Sequence, residues 1–303
     1  MHRYRSLGML LTLPALAVLM GGCGGGDNKG GPAPVATSPG TTTPPPSGER
    51  TAVEGKGVAT LKGKITYDGE APKPADITAQ IQGQDDKAHC LKDDPKNPHP
   101  GSGRTWVVKD GNVANVVVWV SAPKGKFFKF SAEEKASWPK EVAVDQPFCH
   151  FEPHVSVSFP EFYNAETKKT SPTDQKIAVK NSAPISHNTK WAGSPQKNRG
   201  GNQTLQAGGE MALPLKADPT TPINIACDIH KWMTGYIWAL DTPYAAVTNE
   251  DGTFEIKGIP AGADVQLILW HEQPGFFGEG GALGKKVKLN EGDNEMNFKV
   301  KAK

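Results

Sequence analysis

Residues 226 to 233 read ACDIHKWM, and the spacing inside that octet decides how the surrounding chain must fold. Cys227, His230 and Met233 stand at C-x2-H-x2-M, so three side chains with soft or borderline donor atoms fall within seven residues. Three such donors can converge on one ion only where the chain turns back tightly between two strands. The flanking runs PINIACDI and TGYIWAL read as those strands. Upstream, KNSAPISHN supplies His187, a fourth donor to be offered from a neighbouring strand, followed by Asn188. One thiolate, two imidazoles and a thioether make the donor set of a blue-copper centre, with His2Cys near one plane and a long axial sulfur from Met. Soft sulfur stabilises Cu(I) and imidazole satisfies Cu(II), so a geometry between the two preferences suits electron transfer.

Outward from the octet the chain reads as strands. VATLKGKITY, NVANVVVWV and KIAVKN are rich in β-branched residues and lie between turn signals. In the last third, YAAVTNEDGTFEIKGI is expected to form a hairpin turning at Glu250-Asp251-Gly252. ADVQLILWHE follows Pro260-Ala-Gly, and KKVKLNEGDNEMNFKVK is expected to turn near Gly292. Helical periodicity is confined to FSAEEKASW (130 to 138), with Ser131 as N-cap and Glu133 and Glu134 in the first turn. The 34 Gly and 26 Pro suit short strands and turns, and with 37% hydrophobic residues they exclude a long coiled coil and a polytopic membrane protein.

The front of the chain carries an address. Arg3 and Arg5 precede an apolar run from Leu7 to Met20, too short to span a bilayer, which reads as an export signal over 1 to 22. The signal ends in LMGGC, which resembles a lipoprotein lipobox with Met20 where Leu is usual. That resemblance implies lipidation of Cys23, cleavage before it, and tethering to the cell membrane or outer membrane, facing the periplasm or cell exterior. Residues 23 to 54, rich in Gly, Pro, Ser and Thr, have too little apolar surface to order and are expected to be a flexible tether. Of 303 residues, about 250 are left for folded structure, enough for two cores. The formal charge of +2 loses Arg3 and Arg5 with the signal, so the mature chain is near neutral and has no nucleic-acid footprint.

With Cys23 assigned to lipid, three cysteines remain for an oxidising compartment. Cys90 and Cys149 lie in similar polar, His-flanked settings, DDKAHCLKDD and DQPFCHFEPH, and are expected to form a disulfide. Cys227 is then the free thiol. His89, His150 and His154 would join Cys90 and Cys149 in a second metal site only if that pair were reduced. Surface placement is the expectation for them and for His99. His271, beside Trp270, ends a strand.

The octet, together with FEPHVSVSF and NSAPISHN, resembles the cupredoxin family over roughly residues 143 to 240, and the short ligand loop is like that of the amicyanin and plastocyanin-like members. The resemblance implies a Greek-key β-sandwich over 141–240. His187, Cys227, His230 and Met233 would be the ligands of one type 1 copper, and Asn188 would tie the ligand segments together. Lys231 stands where related loops often have Pro. AVTNEDGTFEIKGIPAGADVQLILWHE resembles the later strands of the carboxypeptidase regulatory-like, transthyretin-like β-sandwich. GKITYDGEAP and NVVVWVSAP look like its first strands, so 55–140 and 241–303 are expected to form one discontinuous domain around the copper domain. Two consecutive domains are the simpler alternative.

The expected protein is therefore all-β, tethered, and active in outer-sphere electron transfer outside the cytoplasm. Four protein ligands leave no open position for substrate, which argues against an enzyme. The expected partner is a redox protein such as a c-type cytochrome or an oxidoreductase. It would dock on an apolar patch around Trp232, where the edge of the His230 ring is expected to meet solvent. A periplasmic copper-binding or delivery protein and a metal-free cell-surface module are the competing readings.

Overall fold

The computed structural model describes residues 50–302, and the leader, Cys23 and most of the tether lie outside the described residues. The tether expected over 23–54 does not include its last residues. Thr51–Ala52 pairs in parallel with Lys126–Phe127, and Val53 is buried, because its side chain finds the core.

The chain is all-β, and its four principal sheets share three apolar cores. The outermost sheet is built on Val58–Tyr67. That strand pairs antiparallel with Thr253–Pro260 and parallel with Gly292–Glu295 and Phe298–Val300, while its end meets Asn112–Val113. The approach is so close at Gly63 that a Cβ there would stand 1.9 Å from the Met296 carbonyl oxygen, so only glycine fits. The second sheet runs Ala245–Val247, Val117–Ser121, Asp264–His271, Gly275–Phe277, with Lys285–Lys288 also on Asp264–His271. Leu61, Ile65, Val118, Val120, Ile256 and Leu267 close the core between these two sheets.

The third sheet orders Gly201–Leu205, His187–Ala192, Ile223–Ala226, Thr234–Ala239 and Val155–Ser158, the last parallel to its neighbour. The fourth contains Glu210–Leu213, Lys176–Lys180 and Glu141–Val144. Val144, Ile177, Val179, Leu213, Ile225 and Ile237 fill the space between them. A further core of Val117, Trp119, Trp238, Leu240, Ile268 and Trp270 joins the second sheet to the third. The two middle sheets are therefore covered on both faces, which explains why VVVWV, LILW and YIWAL are almost continuously apolar. Along Val117–Ser121, Val118 and Val120 point to one core, and Val117 and Trp119 point to the other.

The expected hairpins change here. The turn at Glu250-Asp251-Gly252 exists, with Gly252 at φ 75°, but its flanking strands enter different sheets. The same holds for Asp264–His271 after Thr253–Pro260, and for Gly292–Glu295 after Lys285–Lys288. These connections arch across a sandwich. Alternating polarity marks a strand but not the sheet it joins.

The helix Ala132–Ser137 forms as expected, with a capping box in which Ser131 accepts from Glu134 N–H and the Glu134 side chain accepts from Ser131 N–H. Two further short helices, Thr78–Gln82 and Lys87–Cys90, have no amphipathic signal. Their segment lies in the front part of the chain, yet Ile81 and Cys90 pack into the core that holds Cys227 and Met233. In the reverse sense, Phe159 and Phe162 reach the core between the first and second sheets.

Candidate metal centre

The third sheet builds the site. Ile223–Ala226 and Thr234–Ala239 are antiparallel with Ala226 opposite Thr234, so residues 227 to 233 form the connecting loop. Cys227 N–H donates to the Met233 carbonyl at 3.1 Å, and Met233 N–H donates to that of His230 at 2.8 Å, which folds the three donor residues into one turn. His230 N–H lies 3.4 Å from Cys227 Sγ. Cys227 is a free, buried cysteine, and Met233 is 1% exposed.

On the next strand, Lys190 pairs with Ala226. Continuing that register places Asn188 beside the loop. Asn188 Oδ1 accepts from Asp228 N–H at 2.7 Å and Ile229 N–H at 3.2 Å, and it lies 3.2 Å from Cys227 Sγ. Its Nδ2 donates to Asn202 Oδ1 at 2.7 Å. The side chain thus ties the His187 strand to the Cys227 loop.

His187 is fully buried at the start of its strand. Its Nδ1 lies 3.1 Å from Asn181 Oδ1. Asn181 Nδ2 donates to the carbonyls of Ile185, Leu205 and Gln206, so the orientation of its amide is set and its oxygen must be the acceptor. His187 therefore carries its proton on Nδ1 and leaves Nε2 bare. The ring of His230 meets that of His187 with centroids 5.0 Å apart. Its Nε2 lies 3.2 Å from Asp86 Oδ2, and a carboxylate can only accept, so here the proton is on Nε2 and Nδ1 is bare.

His187 Nε2 and His230 Nδ1 are both buried with no hydrogen-bond partner. A buried polar atom left without a partner is costly, and two bare imidazole lone pairs beside a buried thiol and thioether are the donors a copper ion takes. The residues fit the ion. Burial, with the neighbouring His230, pushes His187 down to about 3, and burial outweighs the pull of Asp86 in lowering His230, so both rings are neutral donors.

Not every expected donor is drawn to one point. Among the described residues, the only trio of Cys, His or carboxylate side chains whose ligand atoms all lie within 4.8 Å of one another is Cys90, Cys149 and His230. His187, Cys227 and His230 are neighbours, but their three donor atoms are spread wider than that. Cys90 and Cys149 are joined in a disulfide that abuts the His230 ring.

His230 also departs from expectation in its exposure, which is zero. The segment carrying the two short helices covers it, and Asp86 takes the ring edge that was expected to meet solvent. Trp232 is half-buried, with Nε1 donating to the Cys149 carbonyl at 3.1 Å, while Ile229 beside it is 41% exposed. His150 and His154, expected at the surface, are buried, and His89 is half-buried. His150 is satisfied by the Phe148 carbonyl and by Arg104. His154 pairs with Glu272 at 2.6 Å, His271 stacks on Trp106, and His99 is exposed. Sequence reasoning missed Asn181 and Asp86. Asn181 lies in an Asn-Ser-Ala-Pro turn signal that could have pointed to it, whereas nothing local marks Asp86.

No family model matches the chain, and no curated protein matches it. Among solved structures, a purple cupredoxin from Nitrosopumilus maritimus is similar at 11% identity and a TM-score of 0.23, covering 32% of this chain and 98% of that one. Two amicyanin variants, one in the reduced state and one with Cu(I), are each similar at 13% identity and a TM-score of 0.25. They cover 40% of this chain and 98% and 97% of theirs.

Proposed function

We propose that the protein binds one copper ion through His187, Cys227, His230 and Met233 and transfers electrons by the outer-sphere route, outside the cytoplasm and tethered through a lipid on Cys23. The observation that carries this reading is the pair of bare, buried imidazole nitrogens of His187 and His230, on the strand and adjoining loop that also hold the buried free thiol of Cys227 and the buried thioether of Met233. Bound there, copper would supply a one-electron couple. The chain's own residues hold the donors: Asn181 orients His187, Asn188 pins the Cys227 loop, and the Cys227 to Met233 backbone bond closes it. Four protein donors leave no position for substrate, so the protein is proposed not to be an enzyme. Its partner would be a redox protein such as a c-type cytochrome or an oxidoreductase, meeting the half-buried Trp232 and the exposed Ile229. The strands of 55–140 and 241–303 are proposed to form a regulatory-like sandwich that carries the copper sandwich of 141–240.

The test is titration of the fragment from residue 50 with Cu(II). One equivalent should develop an intense visible thiolate-to-copper band, and Cys227→Ser should abolish that band while leaving the far-UV spectrum unchanged. A variant that keeps the colour removes Cys227 from the site.

The complete covering of His230 favours a second reading, a copper-holding or delivery protein, since a covered ligand edge slows exchange with a partner. Repeated reduction and reoxidation in the presence of a Cu(I) chelator separates the two. Retention of copper supports the carrier, and release on reduction supports delivery.

A further inference from the structure

The outward edge of His230 is closed by a residue 144 positions away in the chain, Asp86. The imidazole is 1% exposed and the carboxylate 36%, so the pair sits at the boundary between pocket and solvent. Asp86 is not free to leave. It immediately precedes the helix Lys87–Cys90, whose last residue is bonded to Cys149. His89 Nε2 lies 2.9 Å from the Pro147 carbonyl, and its ring stacks on Phe148 at 5.1 Å. Asn97 Nδ2 donates to the carbonyls of Cys90 and Lys92. On the far side, Trp232 Nε1 binds the Cys149 carbonyl, so the ligand loop itself is fastened to the same disulfide. The space between this segment and Trp232 and Met233 is about 30 Å3, room for little more than water.

We propose that Asp86 is a positioning residue of the metal centre, which by accepting the Nε2 proton of His230 fixes the tautomer that bares Nδ1 inward and closes the ring edge to solvent. The inference rests on the copper reading for its consequence, while its mechanical part is a property of the metal-free protein. A ligating histidine is commonly held this way: its second nitrogen donates to a carboxylate, which sets the ring orientation and makes the first nitrogen a better donor. Here the carboxylate comes from outside the strands that carry the ligands, and the Cys90–Cys149 bond holds it in place. A negative charge on the ligand's far edge favours Cu(II) over Cu(I), so Asp86 should lower the reduction potential.

The test uses the fragment from residue 50 with Asp86→Ala and Asp86→Asn, after circular dichroism has shown that each folds. In metal-free protein labelled with 15N-histidine, His230 in the parent should show a single tautomer protonated on Nε2. Asp86→Ala should mix tautomers and expose His230 to diethylpyrocarbonate, read by peptide mapping. Asp86→Asn keeps an acceptor and should keep both the tautomer and the protection. Copper affinity, measured by competition, should fall about 10- to 100-fold in Asp86→Ala. The potential should rise in both variants. An unchanged tautomer and unchanged protection in Asp86→Ala overturn the proposed hold on His230. A changed tautomer with unchanged copper affinity and potential overturns its role at the metal. If the parent itself takes up no copper, the proposed function fails, and with it the role at the metal, while the tautomer measurement still decides the hold on His230.

Discussion

Asn188→Ala tests whether one side chain assembles the donor set. Asn188 is 4% exposed, and its Oδ1 serves two loop amides at 2.7 and 3.2 Å, with the Cys227 sulfur at 3.2 Å. Alanine deprives Asp228 and Ile229 N–H of their acceptor and Asn202 Oδ1 of a donor. Each group left unsatisfied costs about 1 to 3 kcal/mol when buried, and these bonds are only partly buried, so the lower figure applies to each. The expected loss is about 2 to 4 kcal/mol, measured by urea unfolding of the metal-free fragment. The copper-bound protein should also broaden or lose its charge-transfer band, because the loop is no longer tied to the His187 strand. Asn188→Asp keeps the acceptor for the two loop amides but loses the donor to Asn202 Oδ1, so it should recover only part of the stability, and its negative charge beside the sulfur should weaken the thiolate band. A loss below about 0.5 kcal/mol with an unchanged copper spectrum would show that strand register alone holds the loop, and the pinning role would be refuted.

Three further outcomes are expected. Removing the Cys90–Cys149 bond, which spans a separation of 59, with paired serines should cost about 4 kcal/mol in urea unfolding and expose His230 to modification; no change in either measure refutes the clamp. Burial, then the nearby Arg104, holds His150 down to about 4, and burial, then His154, holds His271 down to about 3. The unfolded chain therefore takes up these protons first, so their contribution is complete above about pH 6.5 and falls as pH drops towards 4, by about 1.4 kcal/mol per pH unit for each ring. A urea midpoint that stays flat from pH 7 to 5 would contradict the burial of both, and His271→Gln should remove one ring's share of the slope. Met233→Leu should still bind copper while shifting its potential, since the axial sulfur tunes the ion more than it holds it, and complete loss of binding would contradict that role.

The ligand loop was readable in the sequence because three donors of diagnostic type lie within one turn, and chemistry left few other uses for that spacing. The strands were readable because alternation and β-branching are local properties. Which sheet each strand joins was not, since Thr253–Pro260 and Asp264–His271 carry the same period whether they pair with each other or with partners elsewhere. The covering of His230 was out of reach for a different reason. It depends on a carboxylate in QGQDDKAHC, a polar run with no periodicity, brought to the ring by the Cys90–Cys149 bond and packing. Cysteine reasoning found the bond but not what it positions.

The ladder on Val58–Tyr67 has a consequence for the order of assembly. The strand's ion pair between Lys62 and Asp293 joins residues 231 positions apart, and its parallel neighbours are among the last residues of the described chain. A chain emerging from its N-terminus can pair only the end of this strand, with Asn112–Val113, until nearly everything else has appeared, whereas the sheets around the ligand loop draw on Glu141 to Ala239 and can close earlier. Chains cut short near the end would therefore keep a complete ligand loop and yet display a bare, aggregation-prone strand edge, an error that proteases can recognise.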